Sequence, residues 1–117
     1  MQNVHQPPPS GRRMTDEQID AMMPTVPSWQ LLRDGKGGSS LSRTIKFPSF
    51  EAVIAYMAQA AGAISALNHH PDWRNSWKTL SITLSTHDQG DSVTALDFAL
   101  AEALDRLLPP SPSSTVK

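Results

Sequence analysis

Residues 79–86 alternate between hydroxyl-bearing and aliphatic side chains as far as Ser85, and this alternation constrains the fold more than any other feature of the sequence. The run reads Thr79, Leu80, Ser81, Ile82, Thr83, Leu84, Ser85 and Thr86. Successive side chains of a strand point to opposite faces of a sheet, so the segment predicts a strand with one buried and one polar face. The chain must therefore build a sheet that is covered on one side. The polar face is predicted either to be solvated or to meet a second subunit.

A second alternating segment spans residues 41–47 and predicts another half-buried strand. Its apolar positions are Leu41, Ile45 and Phe47. Trp29–Leu32 is a candidate strand just before it, and the Gly-rich segment Asp34–Ser40 predicts the turn of a hairpin between the two. Arg43 falls on the apolar face, so we expect it to lie near an edge of the sheet.

Capping signals predict the start of each of three helices. Thr15 opens the first helix and forms a capping box with Gln18, and Pro24 ends the helix. Ser49 precedes the longest helix, which runs over Phe50–Leu67. Thr94 caps the last helix, which continues to the stop at Pro109.

The two longer helices each carry an apolar stripe with a period close to 3.6 residues. The stripe of the longest helix is predicted to contain Phe50, Val53, Ile54, Met57, Ala61, Ile64 and Leu67. The stripe of the last helix is predicted to contain Leu96, Ala99, Leu100, Ala103, Leu104, Leu107 and Leu108.

A further short strand is predicted at Trp73–Trp77, directly before the clearest strand. The element order is therefore α-β-β-α-β-β-α, with two antiparallel hairpins because both connections are short. We predict the α+β class, with a four-stranded antiparallel sheet and three helices packed on one face. The domain is predicted to span residues 14–108.

Composition excludes several classes of function. The 117 residues carry a net charge of −1, so no basic surface is expected to bind nucleic acid. There is no cysteine, which excludes disulfides and thiolate metal sites. We expect no membrane span and a cytoplasmic location. The proline-rich tails, residues 1–13 and 109–117, are predicted to be disordered.

Three of the four histidines stand at the ends of predicted elements. His69 and His70 lie between the longest helix and Pro71, and His87 follows the clearest strand. The spacing alone leaves three interpretations open. They are ordinary surface histidines, a metal site, or acid–base catalysts, since histidine titrates near neutral pH. Adjacent side chains diverge and no His-x-x-x-His pair is present, so a metal site is the least favoured.

Residues 68–97, which read NHHPDWRNSWKTLSITLSTHDQGDSVTALD, resemble the signature of the pterin-4a-carbinolamine dehydratases. The matching positions are His69, His70, Pro71, Trp73, Thr86, His87 and Asp97. The resemblance extends upstream through the run at residues 47–50 and Trp29, and it covers about residues 14–108.

The resemblance implies an enzyme that dehydrates 4a-hydroxytetrahydropterin to quinonoid dihydropterin and water, in the recycling of tetrahydrobiopterin. It implies histidine acid–base catalysis with no metal and no bound cofactor. The catalytic histidines would be His69, His70 and His87, with His69 and His87 as the acid–base pair and His70 helping Pro71 to hold the pterin. A homodimer or homotetramer is also implied.

Other matching residues have structural interpretations beside the functional one. Thr86, Asp88, Trp29 and Asp97 are candidate substrate-binding residues. A carboxylate at the position of Asp97 also caps a helix, which we favour. Trp29 fits a core residue equally well, and Asp88 fits a turn better than a partner of His87.

The chain departs from the family at Ser65, where many members have an acidic residue four positions before the first histidine. A nearby carboxylate favours the charged form of a histidine, so we expect altered acid–base tuning with the site retained. The alternative function is a non-catalytic, dehydratase-like binding or assembly module. Such a module would be expected to lose the histidines, and this chain keeps all three.

Overall fold

The structure, a computed structural model, describes residues 11–109. Its elements are α1 (Asp16–Met22), β1 (Gln30–Arg33), β2 (Ser39–Lys46), α2 (Phe50–Leu67), β3 (Asp72–Ser76), β4 (Thr79–Leu84) and α3 (Ala95–Arg106), with short 3-10 turns at Met23–Thr25 and His87–Gln89. The predicted α+β class, the element order and the four-stranded antiparallel sheet are confirmed.

The sheet has the strand order β1-β2-β4-β3, so the two hairpins meet along their second strands. β1 pairs with β2, β3 pairs with β4, and the inner pair places Leu41 opposite Leu84 and Ile45 opposite Leu80. The aliphatic residues of β4 are fully buried under the helices, as the alternation predicts. This fixed register determines where the end of β4 presents its next residues, Thr86 and His87.

The predicted capping box at Thr15 and the predicted cap at Thr94 are both present. The Thr15 side chain accepts from the Gln18 amide, and the Gln18 side chain accepts from the Thr15 amide. Thr94 and Asp97 form the same pair of side chain–backbone hydrogen bonds at the start of α3. α2 has the predicted bounds, but its buried positions differ from the predicted stripe. They are Val53, Tyr56, Ala60 and Ile64, whereas Phe50 and Ile54 are 49% and 44% exposed.

The buried face of α3 also differs from the predicted stripe. It consists of Asp97, Phe98, Leu100, Ala101 and Leu104. The many alanines of both helices make several faces almost equally apolar, so hydropathy alone does not fix which face turns inward. The inward rotation of α3 is what places an acidic residue, Asp97, in the interior.

Arg43 lies on β2, an inner strand, so the expectation that it lies near an edge is wrong. Its charge is balanced from α3, where Asp105 Oδ1 accepts a hydrogen bond from Arg43 Nη1 at 2.5 Å and another from Trp29 Nε1 at 2.9 Å. The side chains of Arg43 and Asp105 are 13% and 27% exposed. An inward-facing arginine is tolerated here because its carboxylate partner is also inside.

The N-terminal boundary of the folded unit lies upstream of the predicted one. Arg13, which is predicted to belong to the disordered tail, forms a β-bridge with Thr94, and its guanidinium donates to the Gly37 carbonyl at 2.6 Å. The rest of the two predicted tails, apart from residues 11–13 and Pro109, lies outside the described residues.

Among the described helices, α2 alone is long and apolar enough to cross a membrane by length and composition, with a mean hydropathy of 1.4. The core helix of a soluble protein passes the same test, so this is weak evidence. One face of α2 packs against α3, and the Tyr56 hydroxyl donates to the Leu104 carbonyl at 2.8 Å. Burial of the hydroxyl, with the Asp105 charge nearby, raises the pKa of Tyr56 above its usual value.

Replacing Asp105 with Asn should lower the free energy of unfolding by about 1.5–3 kcal/mol, because the change removes the charged acceptor of the hydrogen bonds from Arg43 and Trp29. The control is Glu102→Gln, which removes a carboxylate that pairs with Arg106 on the same helix at 4.0 Å. It should cost less than about 0.5 kcal/mol. Urea unfolding of both variants measures the difference, and equal losses would contradict the assigned role of the Arg43–Asp105 pair.

Candidate active site

The end of α2 delivers the histidine pair. Asn68, the C-cap residue of α2, has a left-handed backbone with φ 49°. The next amide, that of His69, donates back to the Ile64 carbonyl at 3.3 Å. This cap turns the chain sharply, and Pro71 prevents any return to helix. The His69 side chain is only 11% exposed, whereas His70 is exposed. The two histidines therefore face different surroundings.

A buried carboxylate from α3 holds His69. Asp97 is fully buried, and its Oδ1 lies 2.6 Å from His69 Nε2, across 28 residues of sequence. The other oxygen, Oδ2, accepts from the Thr94 amide at 2.8 Å and from the Thr86 hydroxyl at 2.9 Å. The helix-capping interpretation of Asp97 is confirmed, because Oδ2 accepts from the Thr94 amide, and the other oxygen contacts a histidine.

The network around Asp97 also assigns the hydrogen on His69. A carboxylate only accepts hydrogen bonds, so Nε2 is the nitrogen that carries the hydrogen in this contact. When the ring is neutral, the lone pair then lies on Nδ1. His69 is thus arranged as a proton acceptor whose orientation is fixed from behind by a buried carboxylate.

His87 stands on the other side of the same network, directly after Thr86. Its side chain is 66% exposed, its Nδ1 lies 2.5 Å from Asp91 Oδ1, and its Nε2 lies 3.8 Å from Asp72 Oδ2. The hydrogen bond to Asp91 is the main cause that raises the pKa of His87 above its ordinary value, and the charges of Asp91, Asp72 and Asp97 add to it. His87 is therefore favoured in its protonated form.

Asp97 links the two histidines. It contacts His69 directly, it accepts from Thr86 beside His87, and its charge acts on His87. The Asp97 contact leaves the Nδ1 lone pair of His69 free, while the carboxylates around His87 bias it toward its cationic form. Two titratable groups with such different surroundings are suited to act as a base and an acid.

A cleft of about 470 Å³ opens beside His87 on the hydroxyl-rich face of the sheet. It is lined at the His87 end by Asp72, Asp91, Thr83 and Ser85, and at the other end by the β1–β2 turn. Its volume falls within the range of about 300–1,000 Å³ that is usual for small-molecule sites. Carboxylates and hydroxyls in its wall offer hydrogen-bond acceptors to a ligand that carries N–H groups.

The other candidate residues are more dispersed. Trp29 is 4% exposed and its indole donates to Asp105, which accounts for it as a core residue. Asp88 lies in the 3-10 turn after His87, but the carboxylates that contact His87 are Asp91 and Asp72. Pro71 is half-buried between the exposed His70 and β3.

Sequence reasoning missed Asp72 and Asp91 as partners of His87. Asp91 is four residues from His87, a spacing that signals contact in a helix, but the segment between them reads as an irregular turn. Asp72 is brought near by the pairing of β3 with β4, where it lies opposite Thr83. Within residues 11–109, no group of three or more His, Cys, Asp or Glu side chains is placed to hold a metal ion.

The Asp97→Asn variant should lower the free energy of unfolding by about 2 kcal/mol, because hydrogen bonds to a buried charged group typically contribute about 1.5–3 kcal/mol. Asp16→Asn is the matched control, since Asp16 is also a first-turn helix carboxylate but is 78% exposed. The control should cost less than about 1 kcal/mol. If denaturant unfolding gave the same loss for both, Asp97 would be no more than an ordinary helix cap.

Comparison with known proteins identifies the family. The sequence model described as Pterin 4 alpha carbinolamine dehydratase matches residues 12–107. Two relatives, both named "Putative pterin-4-alpha-carbinolamine dehydratase", come from Rhizobium johnstonii and Rhodospirillum rubrum. The first is 39% identical over 80% of this chain and 89% of its own length. The second is 38% identical over 82% of this chain and 96% of its own length.

A crystal structure from Brucella melitensis, described as a transcriptional coactivator/pterin dehydratase, has the same fold. It aligns with a TM-score of 0.74 at 30% identity, over 84% of this chain and 100% of that one. With the family match over nearly all of the described residues, the chain belongs to the pterin 4 alpha carbinolamine dehydratase family.

Proposed function

We propose that the protein dehydrates a 4a-hydroxytetrahydropterin to the quinonoid dihydropterin and water by acid–base catalysis between His69 and His87. Family membership supports a dehydratase of this class. The observation that carries the mechanism is the contact of 2.6 Å between His69 Nε2 and the buried carboxylate of Asp97. A histidine oriented in this way is a prepared proton acceptor rather than an ordinary surface residue.

The reaction requires one proton to be removed and one to be supplied. The N5–H bond breaks, its electron pair forms the C4a=N5 double bond, and the C4a–O bond breaks with the hydroxyl leaving as water. The two proton transfers cancel, so no metal or redox partner is needed. The demands on the site are a base near N5 and an acid near the C4a hydroxyl.

His69 supplies the base in this proposal. Asp97 accepts the hydrogen on Nε2, which leaves Nδ1 to take the N5 proton and stabilises the imidazolium that forms. Thr86 and Asp97 are too deeply buried to serve as main contacts for a substrate, with 5% and 0% exposure. We therefore assign both to the orientation of His69.

His87 supplies the acid. The carboxylates around it favour the imidazolium, which can donate a proton to the departing hydroxyl. His87 is exposed on the rim of the cleft, so a substrate can reach it without displacing core residues. His70 and Pro71 follow His69 in the chain and, as the family resemblance implies, would contact the pterin ring. Trp29, as a core residue, is given no contact with substrate, and Asp88 is left without an assigned role.

The proposed setting is cytoplasmic recycling of the reduced pterin after an aromatic hydroxylase has released its hydroxylated form. The proposed reaction supports the recycling step, since a 4a-hydroxypterin must be made by an oxygen-using enzyme before it can be dehydrated. The pterin is the small-molecule partner, and neither nucleic acid nor a membrane enters the proposal.

The variants His69→Ala and His87→Ala should each lower kcat by about 10²- to 10⁴-fold, because each removes one general acid or base. The assay generates the 4a-hydroxypterin with an aromatic hydroxylase and follows quinonoid formation by absorbance. His5→Ala is the control, because His5 lies outside the family match and should leave the rate unchanged. Near-normal turnover in either site variant would refute the assignment of that histidine.

We also propose that the protein forms a homo-oligomer through the outer face of α2. This face is exposed and consists mostly of small residues, Ala55, Ala58, Gly62 and Ser65, flanked by the exposed Phe50 and Ile54. A Cβ added at Gly62 would meet no atom within 4 Å in the protomer. Small side chains in one row let a second helix backbone approach closely, and a second copy of α2 offers the same surface.

The Gly62→Leu variant should dissociate the oligomer, because the new side chain occupies the space where the second helix would pack. Gly62→Ala is the matched control, since both variants raise helix propensity by about 1 kcal/mol but Ala adds only one carbon. Light scattering after size exclusion should give a lower mass for Leu alone, with the protomer at 12.8 kDa as the limit. An unchanged oligomer mass in Gly62→Leu would remove this face from the interface.

A further inference from the structure

We infer that Asp91 is a positioning residue for His87, held by the turn that follows β4 so that its carboxylate orients the His87 ring toward the cleft. The inference rests on the proposed function for its consequence in catalysis. Its structural part stands on the contact of 2.5 Å between Asp91 Oδ1 and His87 Nδ1 and on the backbone that presents Asp91.

The backbone of Asp91 is in the left-handed region, with φ 55°, directly after Gly90 with φ 73°. A non-glycine residue in this region costs about 1–2 kcal/mol, although Asp and Asn tolerate it better than most. Two consecutive left-handed residues make a compact reversal between His87 and Ser92. This reversal brings the Asp91 side chain back to His87. The unfavourable backbone conformation is thus what allows the carboxylate to contact the His87 ring.

Hydrogen bonds to Ser39 of β2 hold this turn in place. The amide of Ser39, the first residue of β2, donates to the Asp91 carbonyl at 2.9 Å, and the Ser39 hydroxyl accepts from the Val93 amide at 2.9 Å. Ser39 is 9% exposed, so these bonds are shielded from water. The carboxylate of Asp91 is exposed, but the backbone that carries it is fixed from the interior.

The Arg13 guanidinium forms a further hydrogen bond to the same turn. Its Nη1 donates to the Gln89 carbonyl at 3.3 Å and its Nη2 donates to the Gly37 carbonyl at 2.6 Å. The guanidinium therefore joins the β1–β2 turn to the segment between His87 and Asp91. A Cβ added at Gly37 would lie 2.9 Å from Arg13 Nη2, which shows how closely the turn is packed against it.

The other charged groups near His87 do not replace Asp91. Asp72 on β3 lies at 3.8 Å from Nε2, beyond hydrogen-bond distance, and Asp97 on α3 acts only through its charge. Asp34 and Arg33 line the far end of the same cleft. Asp91 is thus the carboxylate that holds Nδ1, and it leaves Nε2 as the proton-donating nitrogen on the cleft side.

The consequence is a defined pH dependence. A histidine whose pKa is raised keeps its proton to higher pH, so an acid step that needs His87 protonated persists at low pH and is lost as pH rises through that pKa. Removing the Asp91 charge lowers the pKa of His87 toward its ordinary value. The loss of activity then begins at a lower pH.

The test compares the full-length protein with Asp91→Asn, Asp91→Glu and the control Glu102→Gln, a charge-matched change on α3. Asn accepts the left-handed backbone, so Asp91→Asn removes the charge without disturbing the turn. Histidine NMR titration follows His87 directly, and the dehydration assay gives kcat and KM against pH. Thermal unfolding reports whether the turn is intact.

For Asp91→Asn we expect a His87 titration at lower pH and an unchanged unfolding temperature. We also expect kcat at neutral pH to fall about tenfold with KM nearly constant, a part of the acid–base contribution of about 10²- to 10⁴-fold because His87 itself remains. Asp91→Glu should restore much of the titration and the rate, and Glu102→Gln should change neither.

An unshifted His87 titration in Asp91→Asn would overturn the inference, whatever the enzyme does. So would a shifted titration with a wild-type rate and pH profile. If the wild type itself failed to dehydrate the 4a-hydroxypterin, the proposed function would fail, and the titration would still decide whether Asp91 sets the state of His87.

Discussion

The buried carboxylate of Asp97 is the group on which the site depends. A buried charge must be stabilised by hydrogen-bond donors in place of water. For Asp97 these donors come from three parts of the chain: the cap of α3, the end of β4 and the end of α2. The same contacts that make burial of Asp97 tolerable therefore fix the positions of Thr86 and His69. A β-bridge between Thr86 and Ser92 and a hydrogen bond between the Thr86 and Thr94 hydroxyls join the end of β4 to the start of α3.

The two histidines are controlled by different means. His69 is nearly enclosed and is oriented by a carboxylate that belongs to the core, so its geometry is as stable as the fold. His87 is exposed, and its surroundings depend on a turn that Ser39 and Arg13 attach to the remainder of the sheet. In the proposed mechanism the enclosed histidine is the base and the exposed one is the acid, which suits a reaction in which the leaving group departs as water.

The sequence is informative where local chemistry decides the structure. The bounds of α2, the capping box at Thr15, the cap at Thr94, and the exposed and buried faces of β4 follow from capping residues, prolines and alternation. The inward rotation of the helices is less predictable, because Ala-rich surfaces leave several faces equally apolar. Tyr56 and Ala60 are therefore buried where Ile54 and Ala61 are expected. Arg43 is misjudged for a related reason, since only the packing of α3 supplies Asp105 as its partner.

In the candidate site, too, the sequence identifies individual residues, whereas the contacts between them depend on tertiary packing. The resemblance to the family selects the histidines and Asp97, but it does not show that Asp97 contacts His69. That contact joins residues 28 positions apart and follows only from the packing of α2 against α3. Asp91 is hidden from sequence reasoning because its role depends on a left-handed backbone that a non-glycine residue seldom adopts.

The central claim is that His69 and His87 act on one pterin from two sides of the Asp97 network. A crystal structure of the protein with a bound dihydropterin tests it most directly. The account predicts that the edge of the ring containing N5 and C4a lies within hydrogen-bond reach of His69 Nδ1 and His87 Nε2, with Asp97 still in contact with His69. A pterin bound away from either histidine, or a His69 ring turned away from Asp97 in the complex, would contradict it.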